Sequence, residues 1–468
     1  MPEVLQRDRD PYSRLVGVSL CGIVLLAAAL SGAAPVVVWL AVGLGGAVLL
    51  AALYAVIRPP VLALFVLGFI AISQHAGERI PIVDLAYAAS FFVYLGYWFA
   101  KMAFTQRPIG RPELADVAVA AFFGCLVVGL VVSVVLGGET VLALKEASGV
   151  AFFFAYLPAR LMDYRDNRSV KHLIAALTVV TFVLAVMNFR EYVVGYFDSE
   201  FLWQIAVNRV TTNEHWFMML GPGYLVLYAM GKERLIGYVG AALYTITALA
   251  VIIGQSRAVW VAFAIGTFIA WFLLGRSERR RAERLLAAVV SVALVILVVL
   301  YWELVKLVVV GLVYRFGTIS GATQTDLSLI NRFQEGASVL QAFLNSPLIG
   351  HGFGVEYAYY SLVYEVTHET SFVHNTVLAV AYHFGLFGLV VLAVIVSRIA
   401  QLSVRLARTR SSTMARAVGI TVCCALAAEL VSGLTEYSFG TSEKPFLIGI
   451  LAGVVAGIAR SDRSRRDA

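Results

Sequence analysis

Charge is what this chain has least of. Only 14% of its 468 residues are charged, while 60% are apolar. A soluble domain carries about 25% charged and about 45–50% apolar residues, so a water-soluble globular fold is excluded and a polytopic membrane protein is expected. Cysteine is also scarce. The four, Cys21, Cys125, Cys423 and Cys424, lie in apolar runs without metal-ligand spacing. They read as small packing residues rather than a redox pair or a zinc site. No soluble block, internal repeat or low-complexity segment interrupts the chain, so residues 1–468 are expected to form one membrane domain. The formal net charge of +7 follows the loops of a membrane topology and does not call for nucleic acid.

What the chain does have is a succession of apolar runs. A spanning helix needs roughly 20 mostly apolar residues. Runs at 14–32, 35–56, 60–74, 82–103, 114–136, 147–163, 170–189, 216–231, 235–253, 257–275, 285–303, 374–398, 416–434 and 444–460 meet or approach that length. They predict an all-α polytopic membrane protein with about 12–14 transmembrane helices. Arg7, Arg9 and Arg14 before the first run give it the look of a signal peptide, but a second run follows at once, so a retained signal anchor is expected. With the N-terminus in the cytoplasm, most of the 36 Lys and Arg fall on the cytoplasmic side, in 101–111, 165–171, 276–284, 398–416 and the 460–466 tail. Both termini are then cytoplasmic, and 304–373 forms a large outward loop inserted in the membrane domain.

Glu429 is the one ionisable residue expected well inside the hydrocarbon, where such a group marks either a functional site or a helix-pairing contact. A transporter, the alternative from another class, would need several such groups and interrupted repeat halves. A purely structural scaffold explains the hydrophobicity but not the polar chemistry of the outward segments.

That chemistry is concentrated in two places. In 189–215 the aromatics Tyr196, Phe197 and Trp203 suit a membrane interface, and Arg209, Asn213 and His215 stand just before the 216–231 span. A short turn, Gly254-Gln-Ser-Arg257, then sets an arginine at a helix start, against the macrodipole preference for acids there. The position invites an anion partner; lipid-headgroup anchoring is the plainer reading. The second place is the stretch after 326. Leu329, Phe333, Val339, Leu340, Phe343 and Leu344 predict an amphipathic helix, with Arg332, Glu335 and Gly336 together on a flanking face. Pro347 ends that helix, and Gly350, Gly352 and Gly354 allow close backbone approach without the Lys-Ser/Thr of a phosphate loop. Tyr357, Tyr359, Tyr360 and Tyr364 alternate with acids, which suits carbohydrate or, more plainly, an interfacial aromatic belt. His374 sits where the chain re-enters the membrane, at the floor of an outward cavity. His383, nine residues on, falls on the opposite helix face and reads as a packed histidine. His351 and His368 raise the question of a metal, but no HExxH or comparable spacing exists and none is expected.

Gly254-Gln-Ser-Arg257, the Arg332 helix, Ser346-Pro-Leu-Ile-Gly-His-Gly-Phe-Gly354 and His374-Asn375 followed by Gly385-Leu-Phe-Gly388 together resemble the bacterial O-antigen ligase and O-antigen polymerase superfamily. The resemblance covers roughly the C-terminal half. It implies a GT-C-like membrane glycosyltransferase of the bacterial inner membrane, working among membrane lipids with its site facing the periplasm. It implies an undecaprenyl-diphosphate-linked glycan as donor, lipid A-core or a growing glycan as acceptor, and transfer without cofactor or metal ion. The family's two functional arginines map onto Arg257 and Arg332, and its essential histidine onto His374. Arg209, Asn375, Glu335, His215 and Tyr360 then stand as candidates for holding diphosphate or sugar.

The chemistry of these residue types agrees. A diphosphate leaving group needs its charge neutralised, which permanently charged, forked guanidiniums do. A sugar hydroxyl is a weak nucleophile and gains from a base, a task suited to histidine near neutral pH, with Glu335 and Glu369 as fallbacks. One in-line displacement would invert the anomeric centre. The loop at 31–35 holds no acidic residue, and the only Asp-x-Asp, Asp8-Arg-Asp10, is on the predicted cytoplasmic side, which favours a metal-free mechanism. The His374-Asn375 to Gly385-Leu-Phe-Gly388 arrangement leans toward a ligase. A polymerase of O-antigen, capsule or exopolysaccharide repeat units is the alternative.

Overall fold

The computed structural model describes residues 61–72, 82–104, 113–162, 164, 168–197, 213–254, 256–300, 327–361, 365–409 and 412–466. Contacts divide the chain into two compact units, one of Met1–Ile109 with Leu161–Leu184, the other of Gly110–Arg160 with Ala185–Ala468. The runs expected at 14–32 and 35–56, the 31–35 loop, Arg209 and the 304–316 stretch lie outside the described residues.

In the first unit α1 (Val61–Ile72) and α2 (Ile82–Phe104) pack through an aromatic seam. Phe65 and Phe69 are fully buried, Phe65 stacks on Tyr94, and the Tyr87 hydroxyl donates to the Phe65 carbonyl at 2.8 Å.

The second unit is built from α3 (Leu114–Val135), α4 (Thr140–Ala151) continued through a 3-10 turn into α5 (Tyr156–Arg160), α6 (Arg168–Phe197), whose first part belongs to the first unit, α7 (Glu214–Met230), α8 (Arg234–Gly254), α9 (Arg257–Leu273), α10 (Arg276–Leu300), α11 (Leu327–Asn345), a hairpin of β1 (Tyr357–Ser361) and β2 (Val366–Thr370), α12 (Thr376–Ala407), α13 (Thr413–Ser432) and α14 (Glu443–Arg466). Among the described residues seven helical stretches are long and apolar enough to cross a membrane: Leu114–Val135, Thr140–Arg160, Arg168–Val194, Arg234–Gly254, Thr376–Ala407, Thr413–Ser432 and Glu443–Asp462. Arg257–Leu273 is apolar but shorter. The unpacked face of α3 is hydrocarbon throughout: Val127, Val131, Val134 and Val135 are exposed. Such a surface is stable against lipid and not against water. The all-α membrane architecture expected from the sequence is therefore the one observed.

Small residues set how closely the helices approach. A methyl at Gly266 on α9 would come within 2.9 Å of Pro222 on α7, and one at Gly129 on α3 within 3.2 Å of the Phe353 and Phe384 rings. Helix α7 is buried nearly end to end and packs against α8, α9 and α13. At the start of α13, Arg416 donates to both carboxylate oxygens of Glu278 at 2.8 Å, just past the end of α9. Helices α9 and α13 therefore run antiparallel, which places Arg257 and the end of α13 at the opposite pole of the bundle.

Helix α12 is interrupted. Gly385 takes φ 66° and ψ −163°, a conformation open to glycine almost alone. The 346–354 loop enters this break. Its Pro347 and Leu348 carbonyls accept from Leu386 and Phe387 N–H, and its His351 and Gly352 N–H groups donate to the Tyr382 and His383 carbonyls. Backbone groups that the break would leave bare in hydrocarbon are thus satisfied by the loop. Gly352, at φ 76°, has no room for a side chain because it lies against the Gly129 carbonyl. His383 is fully buried and donates from Nδ1 to the Gly352 carbonyl at 2.7 Å, so it is the packed histidine its helical position predicts.

The antiparallel hairpin pairs Tyr357 with Thr370 and Ser361 with Val366. Sequence reading took this stretch as an aromatic, acidic run and missed the two strands. They are five residues each, and their period-2 signal is masked by tyrosines on both faces.

Candidate functional site

The polar residues gather where α12, α14, α7 and α9 begin and α13 ends. Asn375 caps α12: its side-chain oxygen accepts from Val377 and Leu378 N–H at 2.9 and 3.1 Å, and its amide donates to the Leu434 carbonyl. Immediately before the cap, the His374 ring is held by Glu335 of α11. Nδ1–H donates to Oε2 at 2.7 Å, while the His374 backbone N–H donates to Oε1 at 2.9 Å. The Tyr357 hydroxyl, from β1, shares its one proton between the same Oε1 at 3.1 Å and the Phe372 carbonyl at 2.8 Å. Burial and the Glu335 carboxylate push the Tyr357 phenol well above its ordinary value, so it stays a donor. The Glu335 side chain is 3% exposed and that of His374 is 41% exposed. A buried carboxylate with two donors from His374 and a shared third therefore fixes the imidazole with its proton on Nδ1, leaving Nε2 an acceptor without a partner among the described residues.

Arg332 precedes Glu335 by one turn of α11, roughly 4.5 Å along the axis. It is half-buried and makes no hydrogen bond or ion pair among the described residues. Arg257 opens α9 at the same pole and is also half-buried. Tyr360 is half-exposed and, by strand alternation, on the face of the hairpin away from Tyr357. His351 donates to the Ala342 carbonyl and stacks on Tyr382, a structural arrangement.

His215 meets residues that sequence reasoning did not single out. Its Nε2 lies 2.7 Å from Glu436 Oε2, and that oxygen also receives Lys444 Nζ at 2.9 Å. The Lys444 side chain is 2% exposed. His215 lies in the first turn of α7; burial first, then the Lys444 charge, hold its ring below the ordinary histidine value. Burial alone would raise Glu436, but the His215 hydrogen bond and the Lys444 ammonium hold its carboxyl well below the usual range. Glu214, His215 and Glu436 bring ligand-type atoms within 4.8 Å of one another, as a metal centre would. Lys444 already supplies the positive charge there, which fits a cation poorly. The two clusters adjoin. Thr376, two residues past His374, donates from its hydroxyl to the Glu436 carbonyl at 2.7 Å and from its N–H to the Gly433 carbonyl.

The fold and this polar pole define a helical membrane protein with a histidine–carboxylate pair ahead of a broken helix. Residues 242–393 match the family model Wzy_C, described as O-Antigen ligase, and this match supports the O-antigen ligase and polymerase superfamily, whose chemistry is glycan transfer. The matched segment runs from within α8 to within α12 and holds Arg257, Arg332, Glu335, His374 and Asn375 but not His215, Glu436 or Lys444. No curated protein matches the chain.

Proposed function

We propose that this protein transfers a glycan from an undecaprenyl-diphosphate-linked donor to an acceptor at the periplasmic face of the bacterial inner membrane, with inversion and without a metal ion. The favoured acceptor is lipid A-core. The observation that carries the reading is the Glu335–His374 pair, inside the matched segment, with Nε2 open. Nε2 takes the proton of the incoming hydroxyl as the new glycosidic bond forms, and the diphosphate departs with the electron pair of the old one. Glu335 positions the ring and stabilises the imidazolium that results. Arg332 and Arg257 neutralise the charge developing on the diphosphate, and Arg332 has no competing partner among the described residues. The sequence offers Arg209 as a further candidate for a diphosphate contact. Asn375 acts by capping α12, and Tyr360 offers an aromatic face to sugar. Arg279, Arg281 and Arg416 lie at the opposite pole, which supports a cytoplasmic position there and an outward one for the site.

The test gives purified protein, in chelator, an undecaprenyl-diphosphate-linked glycan with either lipid A-core or repeat-unit acceptors. Transfer to lipid A-core, abolished in His374→Ala, is expected. Transfer to repeat units alone makes the protein a polymerase. A requirement for added divalent cation would overturn the metal-free step, and full activity of His374→Ala would overturn the base.

A further inference from the structure

The cluster beside the base contains more hydrogen-bonding capacity than the protein uses. Asn213 is 3% exposed, yet among the described residues neither its amide nitrogen nor its oxygen has a hydrogen-bond partner, and although it stands at the N-cap of α7 its side chain does not cap. It also holds a left-handed backbone, φ 61°. The second nitrogen of His215, Nδ1, is buried without a partner among the described residues, as is Oε1 of Glu429. His215 interacts electrostatically with Glu429, Glu436 and Lys444, so these groups share one neighbourhood. Buried polar groups left unmade are costly, and a group of them at one place calls for an occupant carrying both donors and acceptors.

Charge decides what kind. Among the described charged groups acting on His215, two carboxylates, Glu429 and Glu436, stand against one ammonium, Lys444, which Glu436 already binds, so nothing there is left over to hold a diphosphate. A neutral polyol fits both the sign and the mixed donor–acceptor pattern. The cluster is also open to the site. Glu436 is 24% exposed at its side chain, and Phe372, exposed, stands edge-on to His374 and beside Tyr437 with ring centroids 5.0 and 6.2 Å apart. An exposed aromatic ring beside hydroxyl-binding groups matches the two faces of a pyranose.

We propose that Asn213, His215, Glu429 and Glu436, flanked by Phe372 and Tyr437, form the subsite for the neutral sugar of the acceptor and hold its hydroxyl at His374 Nε2. This rests on the transfer reading above. It separates the two loads: the arginines take the diphosphate, and the acidic cluster, tied through Thr376 to the helix behind His374, takes the uncharged sugar.

The test compares Asn213→Gly, which keeps the left-handed backbone and removes both orphaned atoms, with His215→Phe and wild type. Binding of lipid A-core, of a lipid-linked repeat unit and of farnesyl diphosphate, which carries no sugar, is measured in detergent. Each variant is expected to weaken the glycan that wild type accepts about tenfold, the worth of one good hydrogen bond, and to leave farnesyl diphosphate binding unchanged. Equal weakening of both probes would make the cluster structural or diphosphate-binding, and unchanged glycan binding would mean that water alone fills it; either overturns the subsite. Wild type binding farnesyl diphosphate but neither glycan would sink the subsite alone. Wild type binding none of the three would sink the transfer reading as well.

Discussion

Replacing Glu335 by Gln exchanges one oxygen for an amide nitrogen and reverses the instruction given to His374. Oε1 of Glu335 accepts from Tyr357 and from the His374 backbone, so the Gln carbonyl is expected to stay on that side. The amide NH₂ then faces Nδ1, 2.7 Å away in the parent, and the ring must offer it a lone pair. The imidazole proton moves to Nε2, which becomes a donor where a base is needed. Recovering the working tautomer forfeits that neutral hydrogen bond, about 0.5–1.5 kcal/mol, and leaves the Nδ1–H facing another donor, about 1–3 kcal/mol more, together about tenfold or more in rate. The ceiling is the whole general-base contribution, about 10²–10⁴-fold. Steady-state transfer with a labelled lipid-linked glycan should show kcat reduced at least about tenfold with the donor KM within twofold. Tyr357→Phe, which removes one donor to Oε1 but leaves the tautomer, should cost far less. A folded Glu335→Gln protein with wild-type kcat would refute the positioning argument.

Arg332→Lys keeps the charge but loses the fork, so donor turnover should fall about 10-fold or more; near-normal turnover would count against diphosphate clamping. Gly385→Ala forces a side chain onto φ 66° against the Leu348 carbonyl, costing about 1–3 kcal/mol for the backbone alone, and should lower the Tm, whereas Gly96→Ala, which meets nothing within 4 Å, should not. Acidification should destabilise the protein in two windows. His215 is held below its ordinary 6.5, so its contribution is complete above that pH and falls as pH drops through it; Glu436 is held below its ordinary 4.5, so its contribution is lost only at lower pH. A pH–Tm profile whose first fall vanishes in His215→Phe is expected, and one unchanged by that substitution would exclude the assignment.

Much of the framework is readable along the chain because membrane helices announce themselves locally. The runs expected at 114–136, 235–253 and 416–434 correspond to Leu114–Val135, Arg234–Gly254 and Thr413–Ser432 within a few residues. Hydropathy fails where a helix outruns the hydrocarbon: α12 continues past Arg398 to Ala407, and α4 begins at Thr140, ahead of its most apolar turn. His374 and Arg257 are conspicuous as polar residues at the starts of apolar helices. Their partners are not, because partnership is tertiary. Glu335 is 39 residues from His374 and was legible only as a fallback base or substrate contact. Glu436 lies in the turn after α13, far along the chain from His215, and Lys444 reads as an ordinary outward basic residue until its burial is seen.

The loop seated in the gap of α12 acts as a buckle. One strap leaves α11 with Glu335 on it, the other begins with His374, and the tongue that fastens them is backbone, not side chain. Pulling the acid from the base therefore means first undoing peptide hydrogen bonds in a place without water to replace them. Thermal agitation of the surrounding lipid is kept from loosening the geometry on which the proposed proton transfer depends.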